Sequence, residues 1–477
     1  MRSPTGETEY TKLVVGLTKR IQGSSQGKNS LFELAGFYFT SASSDRRTLA
    51  TYQQEFDAAK ESLHCAPTNK ISDAKSRLKS AERVLKNEQQ RQQSLRVDRH
   101  KLLTAICLST LELCEGVSWE ETQVKSAKLL GTLSLLSPSE GKTYQQVHHL
   151  YKPLYKAVLA LRLLDKLLDT GGLEHKYLRS RYDKNSRFPP AHGQITHFQR
   201  DVAIPVIVAA LLQDVGMEHP EIQRLLKGPD GSLDEFRVLD KDMRVPLLIM
   251  NHEQTMEFIT EGIGNARYAG QTEEARAEFM RQDNNRLSLI RGLLNGAIKP
   301  KLDIGNIIKV PQIYTSVILS TKSCFNINDQ PKAATMIEHT ALKGAISPNA
   351  AKCFVAITGH FPQGFGIVFT DAGEQIASTY QYAIVSAINP KSPHIPKCRV
   401  LKSLNEFDAK EVLISKNRNM YYKDTRNKLR ELDKEKLEKI RQQIMEKFEQ
   451  VRNTNLLPSY WDPHNYFCIK QHQKLWD

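Results

Sequence analysis

The sequence predicts a mainly α-helical protein with a small β element near its C-terminal end, followed by one long helix. Apolar residues recur at helical spacing through most of the first 345 residues, which supports the helical class. Short apolar runs that alternate with Gly and Pro predict strands and hairpins in 350–403. The expected ranges are an N-terminal helical module in 1–145, a helical domain in 146–345, a β extension in 346–403, and a C-terminal helix with an aromatic tail in 404–477.

The composition is that of an ordinary globular chain. The 477 residues are 40% hydrophobic and 25% charged, which excludes a wholly disordered, collagen-like or disulfide-stapled protein. The net charge of +14 is compatible with an acidic partner such as nucleic acid, a nucleotide or an anionic surface, and equally with a charge excess of no functional meaning. Seven scattered Cys without a CxxC pair predict reduced thiols in the cytoplasm. No apolar run is long enough to span a membrane and the N-terminal segment is unlike a signal peptide, so no membrane span is expected.

The N-terminal module is expected to contain only helices. Ser72–Asn87 begins with good N-cap residues, and His100–Glu115 places its apolar side chains on one face. Ser118–Leu130 begins in capping-box order, and Gly131 is expected to end this helix. Nothing in the module has catalytic spacing, so we interpret it either as a structural bundle or as a sensory or interaction module.

The middle of the chain is expected to be helical and more deeply buried. Tyr155–Leu168 is strongly amphipathic, and Asp201–Leu212 is apolar nearly all round, as in a central buried helix. Pro205 lies in the first turn of this second helix, where a missing N–H group is tolerated. Ile307–Thr321 is rich in β-branched residues, and its pattern is compatible with either a strand or a helix.

The C-terminal part combines charge with aromatic residues. A long charged helix is predicted over 420–453, with one apolar stripe that includes Leu429 and Phe448. This stripe is expected to pack on the protein itself or against a second copy, so a homodimer through this helix is a candidate assembly. The aromatic-rich segment 456–477 is expected to pack on the rest of the protein.

The most informative stretch is Leu211–Glu253, which reads LLQDVGMEHPEIQRLLKGPDGSLDEFRVLDKDMRVPLLIMNHE. A helix is expected to end at Gln213-Asp214-Val215-Gly216, the letters LDEF are expected to open another helix, and His252-Glu253 come later. This stretch resembles the metal-dependent HD phosphohydrolases, most closely the HD-GYP branch that cleaves cyclic di-GMP in bacteria. In that family a buried helix ends in His-Asp-x-Gly-Lys, and a His stands at the head of a later helix.

Two further segments carry the resemblance, which extends over roughly residues 150–403. Where the family has Val-Ala-Asp-x-Tyr-Asp-Ala-Leu, this chain has the segment Val310–Val317. Phe361–Gly364 is similar to the Phe-Pro-x-Gly that opens a short β extension in the family. The resemblance therefore implies an HD-type helical domain in the middle of the chain.

The resemblance also implies where a metal centre would lie. In the family, two or three divalent metals are bridged by the Asp of the HD pair and lower the pKa of a bound water, and the resulting hydroxide attacks phosphorus. Asp214 matches that Asp, and His252 matches the His at the head of the later helix. His148 or His149 is the candidate for the first His of the family.

The other ligand positions of the family are eroded in this chain. Gln213 replaces the His of the HD pair, and Met217 replaces the Lys that would assist a phosphate. Gln312 and Thr315 replace the two Asp residues of the Val-Ala-Asp motif. Too few ligands remain for a dinuclear centre, so we interpret the matching Asp and His either as relic metal positions or as structural residues.

We therefore expect a catalytically degenerate, HD-GYP-like regulatory protein of bacterial cyclic-dinucleotide signalling, which binds a partner protein or a nucleotide and requires no cofactor. Lys299, Lys301 and Lys309 flank the eroded Asp motif and are candidate phosphate contacts, or a solvated basic edge. One alternative is an active cyclic di-GMP phosphodiesterase with a rebuilt site, which requires divalent Mn, Fe or Mg. A second is a basic nucleic-acid-associated protein, which has no RRM, zinc-finger or helix-turn-helix motif to support it.

Overall fold

The computed structural model describes residues 6–23, 29–138, 142–300, 304–370, 380–403, 406–430 and 459–477. Over these residues the protein is mainly α-helical, with a four-stranded antiparallel sheet near the C-terminal end, so the predicted fold class is confirmed. The main α-helices are α1 (Glu9–Gln22), α2 (Leu31–His64), α3 (Ile71–Cys114), α4 (Trp119–Leu135), α5 (Tyr144–Asp169), α6 (Lys176–Arg181), α7 (Ile204–Leu212), α8 (Pro220–Lys227), α9 (Lys241–Glu257), α10 (Glu273–Gly296), α11 (Asn306–Ile318), α12 (Lys332–Leu342), α13 (Pro348–Thr358) and α14 (Lys423–Arg430).

The chain folds into two compact units, each made from separate segments of the sequence. Unit 1 consists of Met1–Lys19, Cys107–Leu211 and Gly292–Asp477, and unit 2 consists of Arg20–Ile106 and Leu212–Arg291. The two units interleave along the sequence, and the module borders inferred from the sequence pattern stay predictions.

Unit 1 is organised around α5, which is buried from Pro153 to Leu168 apart from Lys166. Thr143 caps its first turn, because the Thr143 hydroxyl accepts a hydrogen bond from Gln146 N while the Gln146 side chain accepts one from Thr143 N. The helix packs against α4, α11 and α13. Since its buried residues face several neighbours at once, α5 is a central helix of the core rather than a surface helix.

The predicted buried helix over Asp201–Leu212 forms in two parts. Gln199–Ala203 is a π-helical segment, and α7 follows directly. Pro205 is the second residue of α7, but the π-helical segment continues directly into α7, so Pro205 does not lie in the first turn of the helical stretch and that prediction is wrong. Ile307–Thr321, for which the sequence left strand and helix open, is helical as α11.

The sheet of unit 1 contains four antiparallel strands in sequence order. They are β1 (Gly366–Thr370), β2 (Tyr380–Val385), β3 (Lys397–Ser403) and β4 (Glu406–Leu413). The aromatic rings of Phe361, Phe365 and Phe369 lie in the hydrophobic cluster that one face of this sheet buries. Burial of this face in the cluster stabilises a sheet too small to be stable alone.

The β prediction for 350–403 is wrong at both ends. The apolar run that begins at Cys353 belongs to α13. This helix forms because the Ser347 hydroxyl accepts a hydrogen bond from Ala350 N at 3.3 Å and Pro348 occupies the first helical position. At the other end, β4 continues the sheet beyond the expected border at residue 403.

Unit 2 contains α2, most of α3, α8, α9 and a π-helical segment, Phe258–Ile263. α2 packs on this segment and on the 3₁₀ turn Val215–Glu218, and α9 packs on the same turn. The ring of Phe39 on α2 lies 5.7 Å from that of Phe258 and 5.5 Å from that of His219. These aromatic contacts form the apolar centre of unit 2.

Two predicted helix ends in the N-terminal module are wrong. Ser72–Asn87 and His100–Glu115 are not separate helices but parts of the continuous helix α3, because the residues between them include no Gly or Pro and propagate the helix well. Gly131 does not end α4, which continues to Leu135. Gly131 instead gives room to Trp476, since a Cβ at this position would lie 2.2 Å from the Trp476 Cζ2 atom.

The helix predicted to open at LDEF does not form there. Asp234 makes a local turn in which its Oδ1 accepts a hydrogen bond from Phe236 N at 2.9 Å. α9 begins later, at Lys241, because the Asp240 side chain caps it by accepting a hydrogen bond from Met243 N at 2.9 Å. The resemblance had implied that His252 stands at the head of a helix. His252 instead lies inside α9, so this expectation is wrong.

The C-terminal segment is described in part. α14 begins at Lys423 within the predicted long helix and is described to Arg430. The rest of that helix, with the apolar stripe beyond Leu429, lies outside the described residues. The tail packs on unit 1 as expected. The indole N–H groups of Trp461 and Trp476 donate to the carbonyl oxygens of Ala383 and Ser386, at 3.0 and 2.9 Å.

Length and apolar character together decide whether a helix in the part of the chain that the structure describes could cross a membrane. No single helix there has both the length and the apolar character needed to cross a membrane. Thr68–Cys114 and Trp119–Leu135 meet that criterion only when taken together, and they are bent by 109° at the break between them.

Candidate functional site

The segment Gln213–Met217, which resembles the HD motif, forms a tight turn in unit 2. α7 ends at Leu212, and Gln213 and Asp214 lead into the 3₁₀ turn Val215–Glu218. The turn packs directly on α9, because Gly216 N donates a hydrogen bond to the Thr255 hydroxyl at 3.0 Å. Asp214, directly before the turn, and His252, on α9, thus lie on neighbouring segments of unit 2.

Gly216 permits this close approach. A Cβ at residue 216 would lie 2.2 Å from the backbone oxygen of Asn251 and 2.9 Å from Thr255 N, so the backbone of the turn rests directly on α9. Close packing on α9 therefore suffices to explain a glycine at residue 216, the position that matches the Gly of the HD motif.

Replacing Gly216 with Ala is expected to destabilise unit 2 by about 1–3 kcal/mol, because the new methyl group forces the turn away from α9. Hydrogen exchange of α9 peptides measures the change, and we expect faster exchange than in the unmodified protein. Gly36→Ala on α2 is the matched control, since a Cβ there meets only ordinary contacts at 3.9 Å or more. Equal exchange rates in Gly216→Ala and Gly36→Ala would contradict the packing argument.

The donor atoms around this turn do not fit a dinuclear metal centre. Gln213 and Asn251 contribute neutral amide oxygens, both buried and without a hydrogen-bond partner among the described residues. The two positions that match family ligands, Asp214 and His252, together with these two amides supply much less negative charge than two divalent cations require. Glu218 in the turn adds a carboxyl whose pKa burial raises to about 7. In the described ranges of the chain, no three or more His, Cys, Asp or Glu side chains are grouped so that they could hold a metal ion.

The remaining positions of the family pattern lie in unit 1. Gln312 and Thr315 are on α11, where Lys309 Nζ donates to Gln312 Oε1 at 3.1 Å. The Thr315 hydroxyl is buried and has no hydrogen-bond partner among the described residues. Lys299 is exposed, and Lys301 lies outside the described residues. The structure therefore does not gather these lysines into a described phosphate site.

The two candidate first histidines are on α5. His148 is buried, and its Nδ1 lies 2.8 Å from the carbonyl oxygen of Ser320. Burial lowers the pKa of His148 to about 4, so its imidazole is neutral at neutral pH. His149 is half-buried. His148 thus has a structural partner within unit 1 that accounts for its position.

A second constellation in unit 1 was not foreseen from the sequence. It is a buried network in which two carboxylates and two guanidinium groups meet, all at most 4% exposed. Its members are Glu115 after α3, Arg162 and Asp165 on α5, Arg187 in the loop after α6, and Gln199 at the start of the π-helical segment.

Hydrogen bonds connect every member of this ion-pair network. Glu115 accepts from Arg162 Nη2 at 2.5 Å, from Gln199 Nε2 at 2.8 Å and from Arg187. Asp165 accepts from Arg187 Nε at 2.7 Å and lies 2.9 Å from Arg162 Nη2. The two positive and two negative charges balance, which is the condition for burying ions without a large penalty.

The surroundings of the network fix its charge state. Burial by itself raises the pKa of Glu115, but the guanidinium groups of Arg187 and Arg162 outweigh it and hold the pKa well below its usual range. The Arg187 guanidinium also lies between the rings of Phe188 and Phe198, 4.6 Å from each ring centre. Glu115 is therefore ionised at neutral pH, and Arg187 is held in one orientation.

A pocket of about 280 Å³ lies beside the network. It is a small ligand-sized cavity, at the lower end of the range for such sites. All of its lining residues belong to unit 1. They are Trp119, Gln123, Arg162, Asp165, Lys166, Asp169, Lys184, Ile357 and Asn389.

Two residues that line the pocket carry buried N–H groups that have no acceptor among the described residues. Arg162 is 4% exposed, and its Nε and Nη1 atoms are buried without a hydrogen-bond partner among the described residues. The same is true of the indole Nε1 of Trp119. Native proteins rarely leave buried donors unpaired, so these N–H groups mark a place where an acceptor is expected.

The sequence held a weak signal for this site. Arg162 and Asp165 are three residues apart inside the apolar run of Tyr155–Leu168, where charged side chains are unexpected unless paired. Their partners, Glu115 and Arg187, are distant in sequence, and nothing in their local patterns connects them. Only the folded chain shows that the four charges meet.

Comparisons with known proteins do not assign this chain to a family. A scan of protein-family models, a search of curated proteins and a search of solved structures each found no match.

Proposed function

We propose that this chain is a regulatory protein related to the HD phosphohydrolases, most closely to the HD-GYP branch, that acts by binding and not by metal-dependent hydrolysis. The proposal is carried by the turn at Gln213–Met217 in unit 2. Its Gly216 packs on the helix that bears His252, and two of the buried donors around it, Gln213 and Asn251, are neutral amides. Such a turn keeps the scaffold of the family site and lacks the charge to bind two divalent metals.

The cavity between α2 and α3 in unit 2 favours a protein as the regulatory partner. It has a volume of about 560 Å³, and its lining includes the exposed apolar side chains Phe37 and Leu95. Three arginines and three acidic residues also line it, so it offers no net charge to a phosphate group. A mixed-charge protein segment with apolar side chains suits this cavity better than a cyclic dinucleotide.

We place the protein in the cytoplasm. All seven cysteines are free, and four of them, Cys107, Cys114, Cys353 and Cys398, are buried. Burial raises the pKa of the Cys107 and Cys114 thiols, which makes them poor nucleophiles. Unpaired thiols of this kind are typical of a reducing compartment.

Metal analysis combined with a cyclic di-GMP hydrolysis assay tests the absence of hydrolysis. We expect the purified protein to contain much less than one equivalent of Mn or Fe per chain, and to show no turnover when Mn²⁺, Fe²⁺ or Mg²⁺ is added. The physical reason is that one carboxylate and one imidazole hold a metal too weakly to activate water. An intact HD-GYP enzyme serves as the positive control.

Bound metal together with hydrolysis would contradict the proposal. Stoichiometric metal together with turnover that is lost in Asp214→Asn would establish an active phosphodiesterase with a rebuilt site. Equilibrium dialysis with cyclic di-GMP in the same preparation separates the two forms of regulation. If cyclic di-GMP binds without turnover, it is the regulatory ligand. If it does not bind, the regulatory partner is a protein.

A further inference from the structure

The pocket beside the ion-pair network has the properties of a binding site for a small anion. Its unpaired donors, its excess of positive charge and its size are three separate observations. None of them depends on the proposed regulatory function, because the pocket lies in unit 1 and uses no residue of the HD motif.

The donors of the pocket are already positioned and lack acceptors. Arg162 is held by Glu115 and Asp165 through its Nη2 atom, which leaves Nε and Nη1 without a partner among the described residues. Trp119 adds a third donor, and its ring is held edge-on against Phe188 at 4.8 Å between ring centres. Three fixed N–H groups without acceptors favour a ligand with several oxygen atoms.

The charges of the pocket favour an anionic ligand. Three cationic side chains and two carboxylates line it, which leaves one positive charge in excess. Asp165 is engaged by Arg187, and Asp169 accepts a hydrogen bond from Lys184 Nζ at 2.8 Å. Lys166 forms no salt bridge with the described residues of the chain, so its ammonium group is available to a ligand.

The backbone at one side of the pocket is strained. Asn389 has a φ of 54°, and among the described residues it is the sole non-glycine residue with a positive φ. Its N–H donates to the carbonyl oxygen of Ile357 at 2.8 Å, so this conformation is fixed by α13. Such strain persists where the surrounding structure imposes it, and here it places an amide side chain at the pocket.

We propose that this pocket binds a small molecule bearing a carboxylate or phosphate group, whose oxygens accept hydrogen bonds from Arg162 and Trp119 while Lys166 supplies the balancing charge. The pocket volume of about 280 Å³ is small for a molecule with two bases and two ribose phosphates. A cyclic dinucleotide is therefore not its ligand. The ligand class is instead an organic acid or a small phosphate ester.

Isothermal titration calorimetry of the full chain with inorganic phosphate and with succinate tests this proposal, in a low-salt buffer where screening is weak. We expect one site per chain for at least one of the two anions. Binding of phosphate alone indicates a phosphate ester, and binding of succinate alone indicates an organic acid. The proposal is overturned if neither anion binds at concentrations up to about 10 mM, a tenfold excess over a weak millimolar Kd.

Two variants connect the binding to the named donors. Trp119→Phe keeps an aromatic ring but removes the indole N–H, and should weaken binding about tenfold, as expected for the loss of one hydrogen bond to a charged ligand. Lys166→Gln removes the balancing charge and should weaken binding and reduce its dependence on salt. Lys352→Gln on α13 is the matched control, because Lys352 is exposed and does not line the pocket.

Thermal unfolding of each variant without ligand shows whether it is folded, so that weaker binding is not confused with unfolding. Lys166 is only half-buried, and its replacement should leave the unfolding temperature unchanged. The assignment fails if Trp119→Phe and Lys166→Gln both bind phosphate or succinate as tightly as the unmodified protein. It also fails if neutral glycerol binds as tightly as the anions.

Discussion

Replacing Glu115 with Ala is expected to lower the free energy of unfolding of unit 1 by about 3–5 kcal/mol. Glu115 accepts hydrogen bonds from Arg162, Arg187 and Gln199, and all of these side chains are buried. Its removal leaves two guanidinium groups with a single carboxylate inside the core. All three tryptophans lie in unit 1, so urea unfolding followed by tryptophan fluorescence measures the change.

Glu112→Ala provides the matched control for this experiment. Glu112 lies three residues earlier, at the end of α3, and is exposed, so its removal should change the free energy of unfolding by less than about 0.5 kcal/mol. Similar effects for Glu112→Ala and Glu115→Ala would show that the network does not contribute as described.

The pH dependence of stability gives a second readout of Glu115. Because the folded-state pKa of this carboxyl is depressed, its contribution is present above the ordinary pKa of about 4.3 and is lost as the pH falls through the folded-state value. The difference in unfolding free energy between the unmodified protein and Glu115→Gln should therefore shrink as the pH is lowered below about 4. A difference that stays constant down to pH ~2 would contradict the ionised, paired state of Glu115.

Replacing Trp476 with Ala is expected to destabilise unit 1 by about 3–5 kcal/mol. Trp476 is 5% exposed, and its indole N–H donates to the carbonyl oxygen of Ser386 at 2.9 Å. Its ring also fills the space above Gly131 on α4. Loss of the ring creates a cavity and leaves the Ser386 carbonyl without its donor. The fluorescence of the two remaining tryptophans reports the urea transition.

A double-mutant cycle with Gly131→Ala identifies the partner of Trp476. In the unmodified protein the new Cβ would lie 2.2 Å from the indole ring, so Gly131→Ala should cost about 1–3 kcal/mol. In the Trp476→Ala background the space is free, and the same substitution should be neutral or stabilising by up to ~1 kcal/mol, because Ala favours a helix over Gly. Gly16→Ala on α1 is the control, since nothing lies within 4 Å of a Cβ there. Additive effects of the two substitutions would exclude the contact.

Much of the fold could be predicted because it depends on local patterns. Apolar spacing located α3, α4, α5 and α7, and the sheet was placed in the correct part of the chain. The errors concern ends and partners of elements. Gly131 was expected to end a helix because glycine is a poor helix former, whereas its close contact with Trp476, 345 residues later, lets the helix continue. The LDEF segment has helical propensity but turns instead, and Asp240 caps the helix that follows.

The candidate sites also differ in how far the sequence indicates them. Asp214 and His252 could be selected from the sequence because a family pattern connects them, and the elements that carry them do pack together within unit 2. Whether they belong to a former metal centre stays a prediction. The ion-pair network could not be predicted, since Glu115, Arg162 and Arg187 belong to three separate patterns, each of which is unremarkable alone.

The sequence by itself determined the mainly helical class, several of the helices, and the part of the chain that holds the sheet. These properties follow from side-chain periodicity and residue type, which are local. Only the tertiary structure decided that Glu115 pairs with arginines 47 and 72 residues away and that unpaired donors of Arg162 and Trp119 line one pocket. The reason is physical: Arg162 and Asp165 are local partners, but the other charges that make their burial possible come from distant parts of the chain, and packing decides which ones meet them.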